Sequence, residues 1–353
     1  MASNQVFKTD LTDLFGINHP VMLAGMNVAA GPKLAAAVTN AGGIGVIGGV
    51  GAKPDRLQEQ IDELKGYLND KNAPFGVDLL LPQVGGNARK TNYDYTKGQL
   101  DELVDVIIKS KAALFVCAIG VPPKKVVDRL HEAKIPVMNM IGHPKHVQKA
   151  LDCGVDLICA QAGEGGGHTG DIPFSILIPA VVDLCKDAKS PLTGKPVNVV
   201  AAGAVADGRS LAAALSYGAA GVWVGTRFVA SEEAGAPKMH KDWTVKAGYD
   251  DVTRTLIYTG RPLRVFKTPY VMDWEENRQQ EIKSLTSRGI IPAEHDVAEK
   301  PEIGAKARTF LTGSVAARIT DVKPAKDIVD ELVHGAAAAL QQASKLVVAK
   351  SKL

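Results

Sequence analysis

Between Gln161 and Asp171 the chain reads Gln-Ala-Gly-Glu-Gly-Gly-Gly-His-Thr-Gly-Asp, five glycines around one glutamate and one histidine. Glycine fills a core poorly and costs backbone entropy on ordering, so such a run is not packing material. It lets the backbone lie flat against something bulky and planar, and it delivers His168 to that place. An imidazole titrates at about 6.5 when unperturbed, which suits it to take or give a proton near neutral pH. A solitary histidine is more often structural. Here the glycine run, and the apolar segment just before it, point to a catalytic or substrate-contacting His168. Glu164 either orients that ring or is solvated.

Other chemistry-bearing side chains are less insistent. Asp78 lies between Val77 and Leu79 in an apolar run. A buried carboxylate needs a partner, so Asp78 is expected to hydrogen-bond towards a ligand. His143 and His146 have a spacing that suits two metal ligands, but no third ligand is in view and no metal site is expected. His19, before Pro20, and His131, on a surface helix beside Glu132 and Lys134, have no such context. Ser175, Ser210 and Ser314 lack the G-x-S-x-G setting of a hydrolase nucleophile.

The elements that must position these residues follow from hydrophobic patterning. Eight short apolar runs occupy residues 21–26, 43–47, 75–81, 113–119, 136–141, 157–161, 197–202 and 221–228. Each is continuous rather than alternating, the mark of strands buried on both faces in a parallel sheet. Amphipathic stretches at 33–40, 54–68, 99–109, 124–133, 144–152 and 208–216 separate them, several followed by glycine at a helix end (Gly42, Gly154, Gly218). Eight such units predict an α/β fold, a closed (β/α)8 TIM barrel. A dinucleotide-binding sheet would place G-x-G-x-x-G after its first strand, where this chain has Ala24-Gly25-Met26-Asn27.

Residues 1–231 therefore read as the barrel. Residues 232–318, polar and carrying Trp243, Tyr249, Tyr258, Phe266, Tyr270 and Trp274, read as an inserted, mainly helical lid over its C-terminal mouth. Residues 319–348 contain an amphipathic helix at 324–344 that would complete the outer ring. The seventh and eighth runs end in Ala202-Gly203-Ala204 and Trp223-Val224-Gly225-Thr226. Small residues after those two adjacent strands let backbone N–H groups approach a phosphate, and Thr226 adds a hydroxyl.

Composition narrows the classes further. Hydrophobic residues at 46% and charged residues at 22% exclude a disordered or collagen-like chain. Lys and Arg exceed Asp and Glu by 41 to 38, a net charge of +3, too weak a balance for a nucleic-acid or membrane-surface protein. No transmembrane stretch and no secretory signal is evident. The four cysteines have no C-x-x-C spacing and suggest reduced thiols. Residues 349–353 end in Ser351-Lys352-Leu353, the signal read by the peroxisomal import receptor, so a peroxisomal address is expected, or a cytosolic one where the signal is not read.

At the glycine loop and the two small-residue turns the chain resembles the nitronate monooxygenase family, formerly 2-nitropropane dioxygenases. These are FMN-dependent TIM barrels. The likeness runs through residues 20–27, 40–48, 75–81, 161–171, 201–209, 223–228, 259–265 and 311–323. The glycine loop is shared with FMN-dependent enoyl reductases and NADH:quinone reductases, so it speaks for cofactor and fold more than for substrate.

By position, the resemblance implies a flavin contact along Ala24, Gly25 and Met26, with Gln161 and Gly166 on the isoalloxazine side. It implies a phosphate held by Gly203, Ala204, Gly225 and Thr226, with Trp223 and Val224 lining the approach and His168 as catalytic base. Two positions depart from the family pattern. Asp78 stands where Asn is usual, which puts an acid near the flavin, and Ala204 replaces the second glycine of an A-G-G turn.

The implied activity is oxidation of alkyl nitronates or nitroalkanes by dioxygen to a carbonyl compound and nitrite. An NAD(P)H-dependent reductase of quinones or enoyl thioesters is the alternative, and a non-catalytic metabolite-binding barrel the third. The expected partners are a small-molecule substrate and dioxygen, with the aromatics of 243–274 suited to a lid or to a homodimer contact.

Overall fold

Strand residues alternate between two faces, and both faces of these strands meet apolar partners. The computed structural model describes residues 5–348, so Ser351-Lys352-Leu353 lies outside the described residues. Strands β1 (Val21–Leu23), β2 (Gly45–Gly48), β3 (Phe75–Leu80), β4 (Leu114–Ala118), β5 (Val137–Ile141) and β6 (Leu157–Gln161) follow one another. A two-residue strand, β7 (Gly167–His168), lies outside their sheet, and β8 (Asn198–Ala202) and β9 (Gly221–Val224) complete it. All pairings are parallel in the order β1-β9-β8-β6-β5-β4-β3-β2. A parallel bridge between Met22 and Ile44 then brings β1 to β2, giving a nearly closed (β/α)8 barrel.

The alternation sorts the side chains. Met22, Val46, Leu114, Val116, Met138, Leu157, Cys159, Val200 and Trp223 fill the interior. Val21, Leu23, Val77, Phe115, Val137, Ile158, Val199 and Val222 face the helices. Each fully buried aliphatic side chain contributes roughly 1.5–3 kcal/mol, which explains why continuous apolar runs are needed here. The helix Asp10–Phe15, held by a Thr9/Thr12 capping box, sends Leu11 into the interior cluster.

After β9 the helix Thr226–Val229 is one turn long. The eighth outer position is filled from the far end of the chain, where the helix Ala325–Ser344 packs on the helices Gly208–Ser216 and Pro32–Asn40. Between them, residues 232–318 form the helices Lys238–Lys246, Pro269–Asn277, Gln279–Ser287 and Pro292–Glu299, the second and third of which build a small core with residues 257–265: Ile257, Leu263, Val265, Val271, Trp274, Ile282 and Leu285. They also form an antiparallel hairpin, β10 (Val252–Thr255) and β11 (Leu263–Phe266), whose second strand pairs with β7. The helical insertion thus reaches the barrel's glycine loop through a strand. Among the described residues no helix is long and apolar enough to cross a membrane.

Candidate active site

The strand-end turns and the insertion enclose a cavity of about 2250 Å³ at the C-terminal mouth of the barrel. Cavities for one ligand run up to about 1000 Å³, so this one has room for a cofactor and a substrate together. Ala24, Gly25 and Met26 line it from the end of β1, Asp78 from β3, and Gln161, Gly166 and His168 from β6 and the loop after it. Gly203, Trp223, Gly225 and Thr226 line it from the last two strands. The side chains of Ala204 and Val224 do not. Trp223 faces inward, so Val224 faces the outer helices, and Ala204 packs against the same shell. What Val224 offers near the mouth is its carbonyl, and that accepts the Ala24 N–H at 2.9 Å.

The turn at Gly225 and Thr226 is completed by the insertion's return segment. Gly313 N–H donates to Thr226 Oγ1 at 3.0 Å, which leaves the Thr226 hydroxyl proton free to donate into the cavity. The first amides of the helix Thr226–Val229 have no intrahelical acceptors. Gly166 permits the crossing: a Cβ there would stand 2.7 Å from Gly313 N, so any side chain would push the two segments apart.

His168 is held from three sides. Its backbone pairs with Leu263 across β7 and β11, its carbonyl accepts from Gln161 Nε2 at 2.7 Å, and its ring Nε2 lies 3.0 Å from Thr259 Oγ1. Burial, and next the positive charge of Arg261, push the imidazole down to about 4, so it is neutral across the physiological range. Glu164 plays no part in this. Its carboxylate accepts from Phe174 N at 3.1 and 3.2 Å and so caps the helix Phe174–Cys185. Arg264 Nε ties the loop down further by donating to the Gly163 carbonyl at 3.0 Å.

Asp78 points into the mouth beside Gly25, where an added Cβ would meet Asp78 Oδ2 at 2.4 Å. The carboxyl is 3% exposed and its Oδ1 has no partner among the described residues. Burial raises its pKa to about 8, so it carries its proton at neutral pH.

Thr259 and Arg261 line the cavity beside His168, and the reading by composition passed over both. Their signal was present as two short β-type stretches, Val252–Thr255 and Leu263–Phe266, flanking Thr-Gly-Arg-Pro. Of the remaining histidines, His143, His146 and His240 also line the cavity, and His240 Nε2 lies 3.0 Å from the Leu311 carbonyl oxygen. His131 is not a free surface side chain: its Nε2 lies 2.8 Å from Asp156 Oδ2, which also accepts from Val137 N. His143 Nδ1 accepts from Lys145 N. Among the described residues no three His, Cys, Asp or Glu side chains are grouped to hold a metal. Cys117, Cys153, Cys159 and Cys185 are free thiols.

A neutral imidazole at the wall of a large cavity, in a barrel whose last two strands end in small-residue turns, suits an enzyme of the flavin-dependent TIM-barrel oxidoreductase class, and the family match places the chain there. The chain belongs to the nitronate monooxygenase family, whose model matches residues 8–335. A Mycobacterium tuberculosis protein named as a hydroxy-methyl-oxo-octahydro-indene-carboxyl-CoA dehydrogenase is 30% identical, with 96% of this chain and 99% of that one aligned. Among solved structures, FabK from Thermotoga maritima superposes with a TM-score of 0.78 at 29% identity, covering 97% of this chain and 100% of that one. Nitroalkane oxidase from Streptomyces ansochromogenes shares the fold with a TM-score of 0.76 at 24% identity, covering 94% and 99%.

Proposed function

We propose that the protein binds FMN and oxidises alkyl nitronates, and nitroalkanes that it first deprotonates, with dioxygen to a carbonyl compound and nitrite. The observation that carries this reading is His168, a neutral imidazole fixed by Thr259 and Gln161 at the wall of the cavity. Family membership supports the substrate class.

The residues present fit the cofactor. Gly203, Gly225 and the free hydroxyl of Thr226 suit its phosphate. Ala24, Met26 and Trp223 give the apolar wall that a flat ring needs, and the buried, protonated Asp78 offers it a hydrogen-bond donor. FMN supplies electron acceptance and reaction with dioxygen, which no side chain here can do. The protein's own part is proton transfer and enclosure. With Nε2–H donated to Thr259 Oγ1, the basic lone pair is on Nδ1, ready for the proton beside the nitro group. A base already neutral at pH 7 needs no prior deprotonation. The insertion adds Tyr258, Thr259, Arg261 and Phe310 to the wall of the cavity.

The His168→Asn protein is expected to keep its flavin absorbance and lose at least a hundredfold in turnover of neutral nitroalkanes. Preformed nitronates should suffer less, and oxygen uptake measures both. Unchanged turnover of neutral nitroalkanes would remove His168 from the mechanism.

A second reading has its own support in the cavity, which exceeds what FMN and a small nitronate fill, and in the CoA-linked name of the Mycobacterium relative. In it the protein is an NAD(P)H-linked oxidoreductase of a thioester. Anaerobic bleaching of the flavin by NADPH, reversed by an enoyl thioester whose double bond accepts the hydride, would favour it. Oxygen uptake with a nitronate and no pyridine nucleotide would favour the first.

A further inference from the structure

We infer that Arg261 forms an oxyanion-binding site beside His168 and holds the charged oxygens of the substrate, a planar oxyanion such as a nitronate or carboxylate. As to the natural ligand, this rests on the reading above; the site itself does not.

Arg261 lines the cavity and is partly buried. Its Nε donates to Asn92 Oδ1 at 3.0 Å and its Nη1 to the Ile119 carbonyl at 3.3 Å. Both acceptors are neutral, and they use only part of the guanidinium's donor fork. Among the described residues no carboxylate forms an ion pair with it; a second cation, Arg89, and the Tyr95 hydroxyl act on its charge, and it acts in turn on the His168 ring.

Of the other cations lining this mouth, Arg254 is paired with Asp171 and Lys125 with Asp101 at 3.0 Å, while Arg89, Lys145, Lys149 and Arg308 are exposed to water. Among the described residues that line the cavity, Arg261 is the cation that is partly buried and has no carboxylate paired with it. A partly buried guanidinium beside a like charge is costly unless an anion joins it. The planar fork selects the shape of that anion, two oxygens on one centre.

Position gives the site its use. His168 Nε2 and the Arg261 backbone N–H both meet Thr259 Oγ1, at 3.0 and 3.3 Å, so the two residues rise side by side from one wall of the cavity, and the charge of Arg261 acts on the ring. When His168 takes a proton from a neutral carbon acid, negative charge grows on the oxygens that Arg261 holds. Arg261 thereby favours the ionised product of that step, and it holds a preformed anion in the same place. Neutralising Arg261 with an anion also raises the proton affinity of His168 just when the base is needed.

The probe is nitrate, a planar oxyanion that cannot be oxidised by this chemistry, titrated calorimetrically into the purified flavoprotein at low ionic strength. Arg261→Met is expected to weaken nitrate binding at least tenfold, and Arg261→Lys to recover part of it. The His168 ring, followed by NMR in carbon-13 histidine-labelled protein, gives a second readout that a structural role would not move. Its pKa should rise in Arg261→Met, and nitrate should raise it in the unmodified protein, a measurement that needs no variant. Equal nitrate binding with and without Arg261, or a His168 titration indifferent to both nitrate and the substitution, overturns the inference. Nitrate binding at Arg261 in a protein that fails to oxidise nitronates supports the site and removes the nitronate reading alone.

Discussion

Asp78 projects from β3 into the barrel mouth, and its Oδ1 has neither donor nor acceptor among the described residues. The titratable groups that face it are the thiols of Cys117 and Cys159, both pushed up by burial and by its own charge. An unfolded carboxyl releases its proton near pH 3.9, whereas the folded one keeps it to about 8. Between those values the folded state binds the extra proton, so stability falls as pH rises through this window. His168 acts in the opposite sense. Its unfolded ring takes a proton near 6.5 and its folded ring only at about 4, so its contribution is present at high pH and lost on acidification between them. Asp78→Asn should therefore raise the Tm of the flavin-free protein by a few degrees at pH 8 and by much less at pH 5. A shift of equal size at both pH values would contradict the protonated-acid description. At this scale the sequence was legible where composition itself was unusual. His168 stood out because five glycines cannot be core. Thr259 did not, because its contact with His168 spans 91 residues and only the fold makes it. Val224 was misplaced for a simpler reason, the alternation that turns Trp223 inward.

At the scale of elements, the connection that decides the site is β11 to β7. It fixes His168 to a hairpin that belongs to the insertion, so the geometry of the base depends on residues 232–318 being folded. That segment carries its own small core, and Trp274 is its largest member, fully buried with the Arg278 guanidinium 3.4 Å from its ring centroid. Arg278 in turn bonds Asp296 and Glu281, each at 2.8 Å, and so joins three helices around the indole. Trp274→Ala is expected to cost about 3–5 kcal/mol. The loss should appear in hydrogen exchange as deprotection of residues 252–300 and of the loop carrying His168, with the barrel strands unchanged. Uniform deprotection of the barrel would show instead that insertion and barrel unfold as one unit. The helices of the insertion follow from polar, charge-rich patterning. Its hairpin was harder to read, since four alternating residues on each side are too few to separate a strand from a loop.

For the molecule as a whole, the eight continuous apolar runs coincide with the eight barrel strands to within a few residues, because burial on both faces leaves no other use for them. The ring closes with its first and last strands side by side, and the helix Ala325–Ser344 covers the seam that the one-turn helix after β9 leaves bare. This arrangement brings the turns at Gly203 and Gly225 next to each other, since β8 and β9 are neighbours, and sets them at the same mouth as His168. Chain order alone carried that adjacency, whereas the size of the cavity and the cationic wall at Arg261 emerged only from packing. The most direct test is a crystal structure of the protein loaded with FMN. The phosphate is predicted at Gly203, Gly225 and Thr226, with the ring against Ala24, Met26 and Trp223 and one face open to His168. A phosphate on the β3–β5 side of the mouth, or a ring with His168 turned away from it, would contradict the account.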